Sequence, residues 1–361
     1  MKILYYHLQK NTPMFLWQND HIVDELKHNN VTIQMFNPLE FSSIEEANIR
    51  LVDELKREKY DMFMTCHNEK LLYISTLKEI KRLGLPTLLI CFDNLLVPYE
   101  HKEICSYFDL VWLTSKENSE MFEKWGAKTI FMPYAANPYF FVPQKEEEIL
   151  KVAFVGTPYG SRANTINSLL NNEVPVTVFG KVKEDTDKHH VISNGFLYTV
   201  KKNLGFSVGR KLLIAAAKQR VSKAATIDLS SEYLQKGEYV ENLATVYSKY
   251  ALSLSSTTAR NTGVLKNPVP VVNLRSFEIP MCGGIQFCKY NKELSEYFDD
   301  GKEIIFYHDE IEMTEKARFY LAEQNERIRS EIRRAARARA ENDHTWNSRF
   351  NKIFKQLNIR E

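Results

Sequence analysis

The sequence predicts an α/β protein made of two consecutive domains, each a parallel β-sheet with crossover helices. Three observations predict this fold class. Short runs rich in β-branched and aromatic residues alternate with amphipathic helical runs from the first residues onward. The chain has 361 residues, which is enough for two separate hydrophobic cores. A segment with two prolines and an acidic run, residues 137–149, separates two such series of elements.

The first series contains six strand-like runs. They lie at residues 2–8, 31–37, 60–65, 86–92, 109–114 and 129–134. Helices with recognisable ends are predicted between them, since Ser43 and Glu46 form a capping box before the run that ends near Arg57. Gly84 and Gly126 each follow a charged amphipathic stretch and can supply the left-handed residue that ends a helix.

The second series repeats the pattern. Its strand-like runs lie at residues 151–157, 174–180, 250–255, 284–290 and 303–309. A charged helical tract begins near Glu312, and a terminal amphipathic helix follows whose apolar residues have helical spacing. We therefore expect one Rossmann-like domain at residues 1–140, a second at 141–340 with a basic insertion at about 181–240, and a C-terminal helix at 341–361.

Composition restricts the functional class. A net charge of +2 is too balanced to indicate nucleic-acid binding by the whole protein. The five cysteines form no CxxC pair and lie mostly in apolar runs, which favours reduced thiols and a cytoplasmic location. No apolar stretch approaches the ~20 residues that a membrane-spanning helix needs. Any membrane contact is therefore expected to be peripheral, at the inner membrane face.

Several polar residues follow the strands of the first predicted domain. Ligands of open parallel sheets bind beyond the carboxyl ends of the strands. This rule nominates His7, Cys66 to Glu69, Asp93 to Asn94, and Ser115. His67 and Asp93 are the candidates for a catalytic base that deprotonates an acceptor hydroxyl, and the alternative for each is a helix cap or loop hydrogen bond. No histidine shows metal-ligand spacing in the sequence, so no metal site is predicted.

A glycine-containing loop opens the second predicted domain. Gly156, Thr157, Gly160 and Ser161 lie between a strand and a helix that begins near Arg162. Such a loop can direct backbone N–H groups at a phosphate, and an arginine at the helix start would act on the same anion. The loop lacks both the GxGxxG pattern and a P-loop ending, so a tight glycine turn is the alternative.

Residues 273–313 carry the most specific pattern in the chain. Arg275, Glu278, Gly283 and Gly284 match the pattern R-x-x-E-x-P/A-x-x-G-G, and residues 298–303 form a turn that reads F-D-D-G-K-E. This segment resembles the donor-binding region of CgeB-like glycosyltransferases, which are related to the family-4 group with the GT-B fold. Residues 109–141 and 154–162 resemble further elements of the same family, so the resemblance covers roughly residues 85–165 and 240–355.

The resemblance implies a GT-B architecture and a donor site. Two Rossmann-like domains would face a central cleft, with the C-terminal helix crossing back to the N-terminal domain. Glu278 would bind the ribose hydroxyls of a nucleotide, and Gly283 and Gly284 would let backbone amides approach its diphosphate. Arg275 would neutralise the diphosphate or pair with Glu278. A second glutamate common in related families is replaced by Pro270, which leaves the sugar and the stereochemical outcome open.

A basic segment interrupts the second predicted domain. Residues 188–227 contain no Asp or Glu but eight Lys or Arg residues, interleaved with apolar runs. One interpretation is a basic amphipathic surface at residues 198–224 that contacts an anionic membrane. The alternative is a solvated insertion that packs by its alanine face. The Arg-rich tract at residues 327–342 is interleaved with Glu and is expected to be an exposed helix rather than a nucleic-acid arm.

These observations predict a glycosyltransferase. It would move a sugar from a nucleoside-diphosphate sugar to a hydroxyl acceptor in surface polysaccharide, lipid or protein glycosylation, with the donor as co-substrate and without a cofactor or metal ion. An epimerase or hydrolase on the same fold, and a non-catalytic sugar- or nucleotide-binding protein, are the alternatives.

Overall fold

The computed structural model describes residues 1–10, 13–144, 147–158, 160–180, 196–221, 226–237 and 243–359. His189, His190 and the rest of residues 181–195 in the basic insertion lie outside these ranges.

The described residues form two six-stranded parallel sheets. The strands are β1 (Lys2–Tyr6), β2 (Thr32–Phe36), β3 (Met62–Thr65), β4 (Thr87–Cys91), β5 (Leu110–Leu113), β6 (Thr129–Phe131), β7 (Ile149–Val155), β8 (Val176–Phe179), β9 (Leu234–Lys236), β10 (Tyr250–Ser255), β11 (Gln286–Lys289) and β12 (Ile305–Tyr307).

Helices connect the strands, as the alternating pattern predicts. They are α1 (Pro13–Gln18), α2 (Asp24–His28), α3 (Ile44–Arg57), α4 (Ile74–Arg82), α5 (Ser119–Lys124), α6 (Ser161–Asn171), α7 (Phe196–Leu204), α8 (Ser207–Val221), α9 (Leu243–Lys249), α10 (Arg275–Met281), α11 (Glu310–Leu321), α12 (Glu326–Asp343) and α13 (Trp346–Gln356). A π-helical segment, Asn19–Val23, joins α1 to α2. Short 3-10 segments lie at Pro38–Glu40, Pro98–His101, Cys105–Tyr107, Thr262–Val264, Leu294–Glu296 and Glu323–Asn325.

The helix ends follow the local sequence signals. The Ser43 hydroxyl accepts a hydrogen bond from the Glu46 backbone N–H at 3.0 Å and caps α3, as predicted. The Glu46 carboxylate turns back to the Ser42 backbone N–H, at 3.2 Å, so the second half of the capping box uses Ser42. Gly84 and Gly126 have φ angles of +70° and +86° and follow α4 and α5. Glycine therefore ends both helices, because it adopts this region without a Cβ clash.

The first sheet has the strand order β2-β1-β3-β4-β5-β6. Strands β3, β4 and β5 are buried at every residue, which is expected of parallel strands covered on both faces by helices. The second sheet has the order β12-β11-β10-β7-β8-β9, and β10 is buried throughout. Each sheet carries its own hydrophobic core.

Contacts divide the chain into two compact units. The first contains Met1–Phe140 and Thr345–Glu361, and the second contains Phe141–His344. The C-terminal helix α13 therefore belongs to the first unit, and the prediction that the chain crosses back is confirmed. Trp346, Phe350, Ile353 and Phe354 of α13 are fully buried.

The Arg-rich helix α12 differs from the exposed helix that the sequence predicts. Arg329 is only 2% exposed, and its guanidinium contacts the Glu148 carboxylate at 2.6 Å. Arg333 binds the same carboxylate at 3.0 Å and also donates to the Gly283 carbonyl. These arginines recur every four residues and therefore share one helix face, which the interleaved glutamates concealed in the sequence.

Candidate functional site

The carboxyl ends of β7 and β10 lie side by side in the second sheet. β7 pairs with β8 on one side and with β10 on the other. Since the chain builds β8 and β9 on one side before it continues to β10 on the other, this is the point at which the strand order reverses. The loops after β7 and β10 diverge there, and such a crevice is the usual ligand site of an open parallel sheet.

A cavity of about 240 Å³ occupies this point of the sheet. Its lining combines hydroxyl groups, two cationic side chains and the starts of two helices. The polar lining residues are Ser161, Arg162, Asn164, Thr165, Ser255, Ser256, Thr257, Thr258, Lys289, Tyr307, His308, Asp309 and Glu310. The Asp309 carboxylate is engaged at the start of α11, where it accepts the Glu312 backbone N–H at 2.9 Å. The cavity therefore offers hydroxyl donors, the two cationic side chains of Arg162 and Lys289, and the carboxylates of Asp309 and Glu310.

The start of α6 forms one wall of the cavity. Gly160 precedes the helix with φ +57°, and a Cβ atom there would lie 2.8 Å from the Asn261 Oδ1 atom, so the position requires glycine. Ser161 and Arg162 follow and line the cavity. The Arg162 guanidinium donates to the Thr157 carbonyl at 3.4 Å. An anion in the cavity would therefore meet both a guanidinium and a helix N-terminus.

Gly156 and Arg275, which the sequence predicts to share a donor site, lie together in the structure. Gly156 has φ +126°, and a Cβ atom there would lie 3.3 Å from the Arg275 Nη2 atom. Gly180, after β8, has φ +150°, and its Cβ would lie 2.4 Å from the Gly156 carbonyl oxygen. The two glycines thus allow the loops after β7 and β8 to touch beside the guanidinium. Neither Gly156 nor Arg275 is among the residues that line the 240 Å³ cavity.

Glu278 is the fourth residue of α10 and is only 6% exposed. Glu278 interacts electrostatically with Tyr247, whose pKa is raised chiefly by burial. The positive charge of Arg275 lowers the pKa of this phenol, and the carboxylate of Glu278 raises it further. Burial likewise raises the pKa of the Cys282 thiol, and the Glu278 carboxylate adds to the effect. The structure therefore places Glu278 inside the second unit near Arg275 and Tyr247, rather than on the wall of the cavity.

The backbone amides of Gly283 and Gly284, predicted to approach a diphosphate, have hydrogen-bond acceptors within α10. Their backbone N–H groups donate to the carbonyls of Pro280 and Ile279, each at 2.9 Å, and close the end of α10. Gly283 has φ +65°, as expected of a glycine that ends a helix. Both residues lead into the start of β11, which in a parallel sheet lies at the edge opposite to Gly156. Their amides already donate hydrogen bonds within α10. They also lie at the edge of the sheet opposite to the loops after β7 and β10, where a diphosphate is expected.

The two candidate bases of the first unit have different environments. Burial, with His7 and His101 nearby, lowers the pKa of His67 to about 3, which makes its imidazole a weak base. Asp93 follows β4 and is exposed. The lowered pKa argues against His67 as the base that deprotonates an acceptor hydroxyl.

The other candidates after the strands of the first unit have structural contacts. The Asn94 side-chain oxygen accepts the backbone N–H groups of Thr114 and Ser115, at 2.9 and 3.0 Å. Its amide nitrogen donates to the Ser115 carbonyl at 2.8 Å. Asn94 therefore joins the ends of β4 and β5, as a buried loop hydrogen bond does.

Sequence reasoning missed the hydroxyl residues at the end of β10 and missed Lys289. Ser255 to Thr258 line the cavity directly. Their signal was present, since a predicted strand ends at Ser255 and three further hydroxyl residues follow it at the edge where ligands bind. The strand order that makes this edge the switch point cannot be read from the amino-acid sequence and is known only from the structure.

Comparisons with known proteins agree with this geometry. Residues 209–355 match a family model described as glycosyl transferase-like, a range that includes Lys289 and the Arg275 to Gly284 segment. No curated protein matches the sequence.

Several solved structures share the fold. A glycosyltransferase from Rickettsia africae is 12% identical, with a TM-score of 0.61, over 100% of this chain and 99% of that one. HepE from Anabaena, in complex with UDP and glucose, is 12% identical with a TM-score of 0.59, and all of both chains is covered. Sucrose-phosphate synthase from Thermosynechococcus elongatus is 12% identical with a TM-score of 0.55, over 99% of each chain.

These findings support the recognition made from the sequence, although they do not distinguish the CgeB-like group from its relatives. Among the described residues, no helix combines the length and apolar character needed to cross a bilayer. Residues 209–355 thus match the glycosyl transferase-like family model, and the two parallel six-stranded sheets give the chain the GT-B fold of these solved structures.

Proposed function

We propose that the protein transfers a glycosyl group from a nucleoside-diphosphate sugar to a hydroxyl acceptor in cell-surface polysaccharide, lipid or protein glycosylation, without a metal ion in the donor site. The observation that carries this proposal is the cavity between the β7 and β10 loops. Arg162, Lys289 and the N-terminus of α6 meet there, in the unit that holds most of the family match. This positive charge suits the diphosphate of a donor.

Electrostatic stabilisation accounts for most of the proposed catalysis. When the bond between the sugar and the diphosphate breaks, negative charge grows on the leaving phosphate. Preorganised cations and hydroxyl donors that face this charge lower the barrier, and the loss of one such group typically lowers kcat by about 100-fold or more. Arg162 and Lys289 are the side chains of the cavity that can act in this way, and Arg275 beside Gly156 is the next. Asp93 is the proposed base for the acceptor hydroxyl.

UDP-sugars are the first donors to test. HepE, which shares the fold, forms complexes with UDP and with UDP-glucose. At 12% identity this likeness does not assign the donor to the present chain. It sets the order in which nucleotides are tried.

The experiment measures thermal stability with UDP, GDP, dTDP and CDP, and then sugar transfer. A ligand that binds only the folded state stabilises it by about 2.7 kcal/mol at 100 times its Kd, so one nucleotide should raise the melting temperature above the others. Lys289→Ala should reduce this shift, because one charge-assisted phosphate contact is lost. Lys292→Ala is the matched control, since Lys292 is exposed nearby but does not line the cavity.

The same assay separates the alternatives. Release of nucleoside diphosphate only in the presence of an acceptor supports transfer. Rapid turnover of the donor without an acceptor indicates a hydrolase or an epimerase. Tight nucleotide binding with neither reaction indicates a non-catalytic binding protein, and four nucleotides without any thermal shift would contradict the proposed donor site.

Contact with an anionic membrane is the finer part of the proposal. Helices α7 and α8 expose three large apolar residues, Tyr198, Leu204 and Ile214. Lys201 and Arg210 are exposed on the same two helices. Apolar and basic groups on one pair of helices suit a peripheral contact with anionic lipid, which would bring the enzyme to a membrane-linked acceptor. Residues 222–224 of the predicted membrane surface lie outside the described part of the chain.

A further inference from the structure

Three metal-ligating side chains meet at the centre of the first sheet. β1 pairs with β2 on one side and with β3 on the other, and the chain crosses over β1 between β2 and β3. His7 follows β1, and Cys66 and His67 follow β3. The three residues therefore lie at the carboxyl edge of the first sheet, at its switch point.

The donor atoms have the spacing of a tetrahedral metal site. The His7 Nδ1 and His67 Nε2 atoms are 3.2 Å apart, and the Cys66 Sγ atom lies 3.5 Å from His7 Nδ1. All three donor atoms lie within 4.8 Å of one another. Zinc–nitrogen bonds of about 2.05 Å and a zinc–sulfur bond of about 2.3 Å give tetrahedral edges of roughly 3.4 Å between nitrogens and roughly 3.6 Å from nitrogen to sulfur.

The imidazole rings of His7 and His67 are stacked. Their centroids are 5.1 Å apart and their planes differ by only 10°.

Neighbouring groups hold the loop that carries Cys66 and His67. The His67 backbone N–H donates to the Thr65 hydroxyl at 3.1 Å, and that hydroxyl donates to the Tyr6 carbonyl at 2.9 Å. The Cys66 carbonyl lies 3.1 Å from the His101 Nε2 atom. The loop is thereby fixed to β1 and to the 3-10 segment Pro98–His101 before any metal binds, which lowers the entropic cost of ligation.

Two further donors face the sulfur. The Tyr5 hydroxyl lies 3.6 Å from Cys66 Sγ, and the Gln18 side-chain nitrogen lies 3.8 Å from it. Groups of this kind around a coordinating thiolate orient it and tune the metal. The surroundings of Cys66 are thus those of a ligand rather than of an apolar core thiol.

The donor set selects the kind of ion. One thiolate and two imidazoles suit Zn²⁺ and its borderline neighbours, whereas Mg²⁺ and Ca²⁺ prefer oxygen ligands. Three protein ligands leave a fourth tetrahedral position for water. Because Cys66 and His67 are only half-buried, an ion can reach them.

We infer that His7, Cys66 and His67 form a zinc-binding site in the first unit, separate from the donor cavity of the second unit. Sequence spacing did not predict it, because His7 is about sixty positions from the other two ligands and only the pairing of β1 with β3 brings them together. The Leu8 backbone N–H donates to His67 Nε2 at 3.0 Å. Zinc would bind the same lone pair of His67 Nε2 that accepts this hydrogen bond, so zinc binding must replace the hydrogen bond.

Metal binding by the full-length protein tests the inference directly. After dialysis against a chelator, titration with ZnCl₂ should give one bound ion per chain with a dissociation constant tighter than about 1 µM. Cobalt substitution should give the visible bands of a tetrahedral ion and a thiolate charge-transfer band. Cys66→Ser should abolish the charge-transfer band, and both Cys66→Ser and His67→Gln should weaken zinc binding at least about tenfold.

Matched variants control for unspecific effects. Cys105→Ser removes another thiol of the first unit, and His28→Gln removes an exposed histidine, so both should bind zinc like the wild type. Circular dichroism of every variant establishes that it is folded. Failure of the wild type to bind zinc, or equal binding by Cys66→Ser, would overturn the inference and leave a hydrogen-bonded imidazole pair. Neither outcome depends on whether the second unit binds a nucleotide.

Discussion

Glu278 is the residue that most sharply tests the donor assignment. If its carboxylate accepts two ribose hydroxyl bonds, each contributing roughly 1.5–3 kcal/mol, Glu278→Ala should weaken nucleotide binding by about two to four orders of magnitude. Glu278→Gln should have a smaller effect, because the amide oxygen still accepts one bond. Calorimetric titration of the best nucleotide diphosphate measures both variants.

The buried position of Glu278 makes the folding control important. At 6% exposure, removal of the side chain is expected to lower thermal stability as well. Glu278→Gln preserves the shape of the side chain, and Glu315→Ala alters an exposed glutamate of the same unit as a control. Unchanged nucleotide affinity in a folded Glu278→Ala protein would remove Glu278 from the donor site.

Glu25 gives a prediction about pH. This carboxyl is fully buried and accepts the backbone N–H groups of Trp346 and Asn347 at 3.1 and 2.6 Å. Burial raises its pKa from 4.5 to about 7, against the lowering effect of those bonds. Because the folded pKa is the higher one, its contribution to stability is complete below about pH 4.5 and is lost as pH rises to about 7, a change of about 3 kcal/mol.

Glu25→Gln should remove this dependence. The melting temperature of the variant relative to the wild type should rise between pH 5 and pH 8, since only the wild type must ionise a buried group. Glu103→Gln, which alters an exposed carboxyl, should give no such change. A relative melting temperature that does not vary with pH would contradict the raised pKa of Glu25.

At the level of single elements, a variant at the end of α10 distinguishes two roles for Gly283. The residue either ends the helix or lets backbone amides approach a diphosphate. Gly283 has φ +65°, and a Cβ there would lie 3.5 Å from Pro143, which is an ordinary contact. Gly283→Ala should therefore lower stability by about 1 kcal/mol through backbone strain and leave nucleotide affinity unchanged. Thermal unfolding and calorimetry measure the two quantities. Loss of nucleotide affinity in the folded variant would restore the diphosphate role implied by the family pattern.

The helices α7 and α8 give the test of membrane contact. Replacing Lys201, Lys202, Arg210 and Lys211 with Ser should lower co-sedimentation with anionic liposomes, because each basic residue near such a surface contributes about 1 kcal/mol. High salt should act in the same way, and nucleotide affinity should not change. Neutral phosphatidylcholine vesicles serve as the lipid control. Equal sedimentation of wild type and variant with anionic vesicles argues for a solvated insertion.

At the scale of the whole molecule, α13 joins the end of the chain to the first unit. Trp346 is fully buried against the rings of Trp17, Phe92 and Trp112, and its Nε1–H donates to His21 at 3.0 Å. Trp346→Ala should destabilise the first unit by about 3–5 kcal/mol, since a large cavity forms and a buried acceptor loses its donor.

Unfolding of the Trp346→Ala protein should reveal the two units separately. The transition of the first unit should move to lower temperature, while the transition that a nucleotide stabilises should stay in place, because the donor cavity belongs to the second unit. Circular dichroism with and without nucleotide distinguishes them, and Trp346→Phe should have a smaller effect. A single transition that moves as a whole would show that the units unfold together.

The fold class could be predicted from the amino-acid sequence, because the periodicities of strands and helices are local properties of the chain. The sequence also determined local features such as the cap at Ser43 and the helix-ending Gly84 and Gly126, which depend on a few consecutive residues. The pattern match placed Gly283 after a helix, as the structure shows, whereas the edge of the sheet at which it lies depends on the pairing of β11.

The tertiary structure alone decided which residues meet. Strand order places Ser255 to Thr258, Arg162 and Lys289 around one cavity, and it brings His7 to Cys66 and His67. The structure also determines which side chains are buried. Burial lowers the pKa of His67 to about 3 in the first unit, and in the second unit the buried Arg329 forms a salt bridge with Glu148. The physical reason is that pairing between distant strands and desolvation are long-range consequences of packing, and neither is encoded within a window of neighbouring residues.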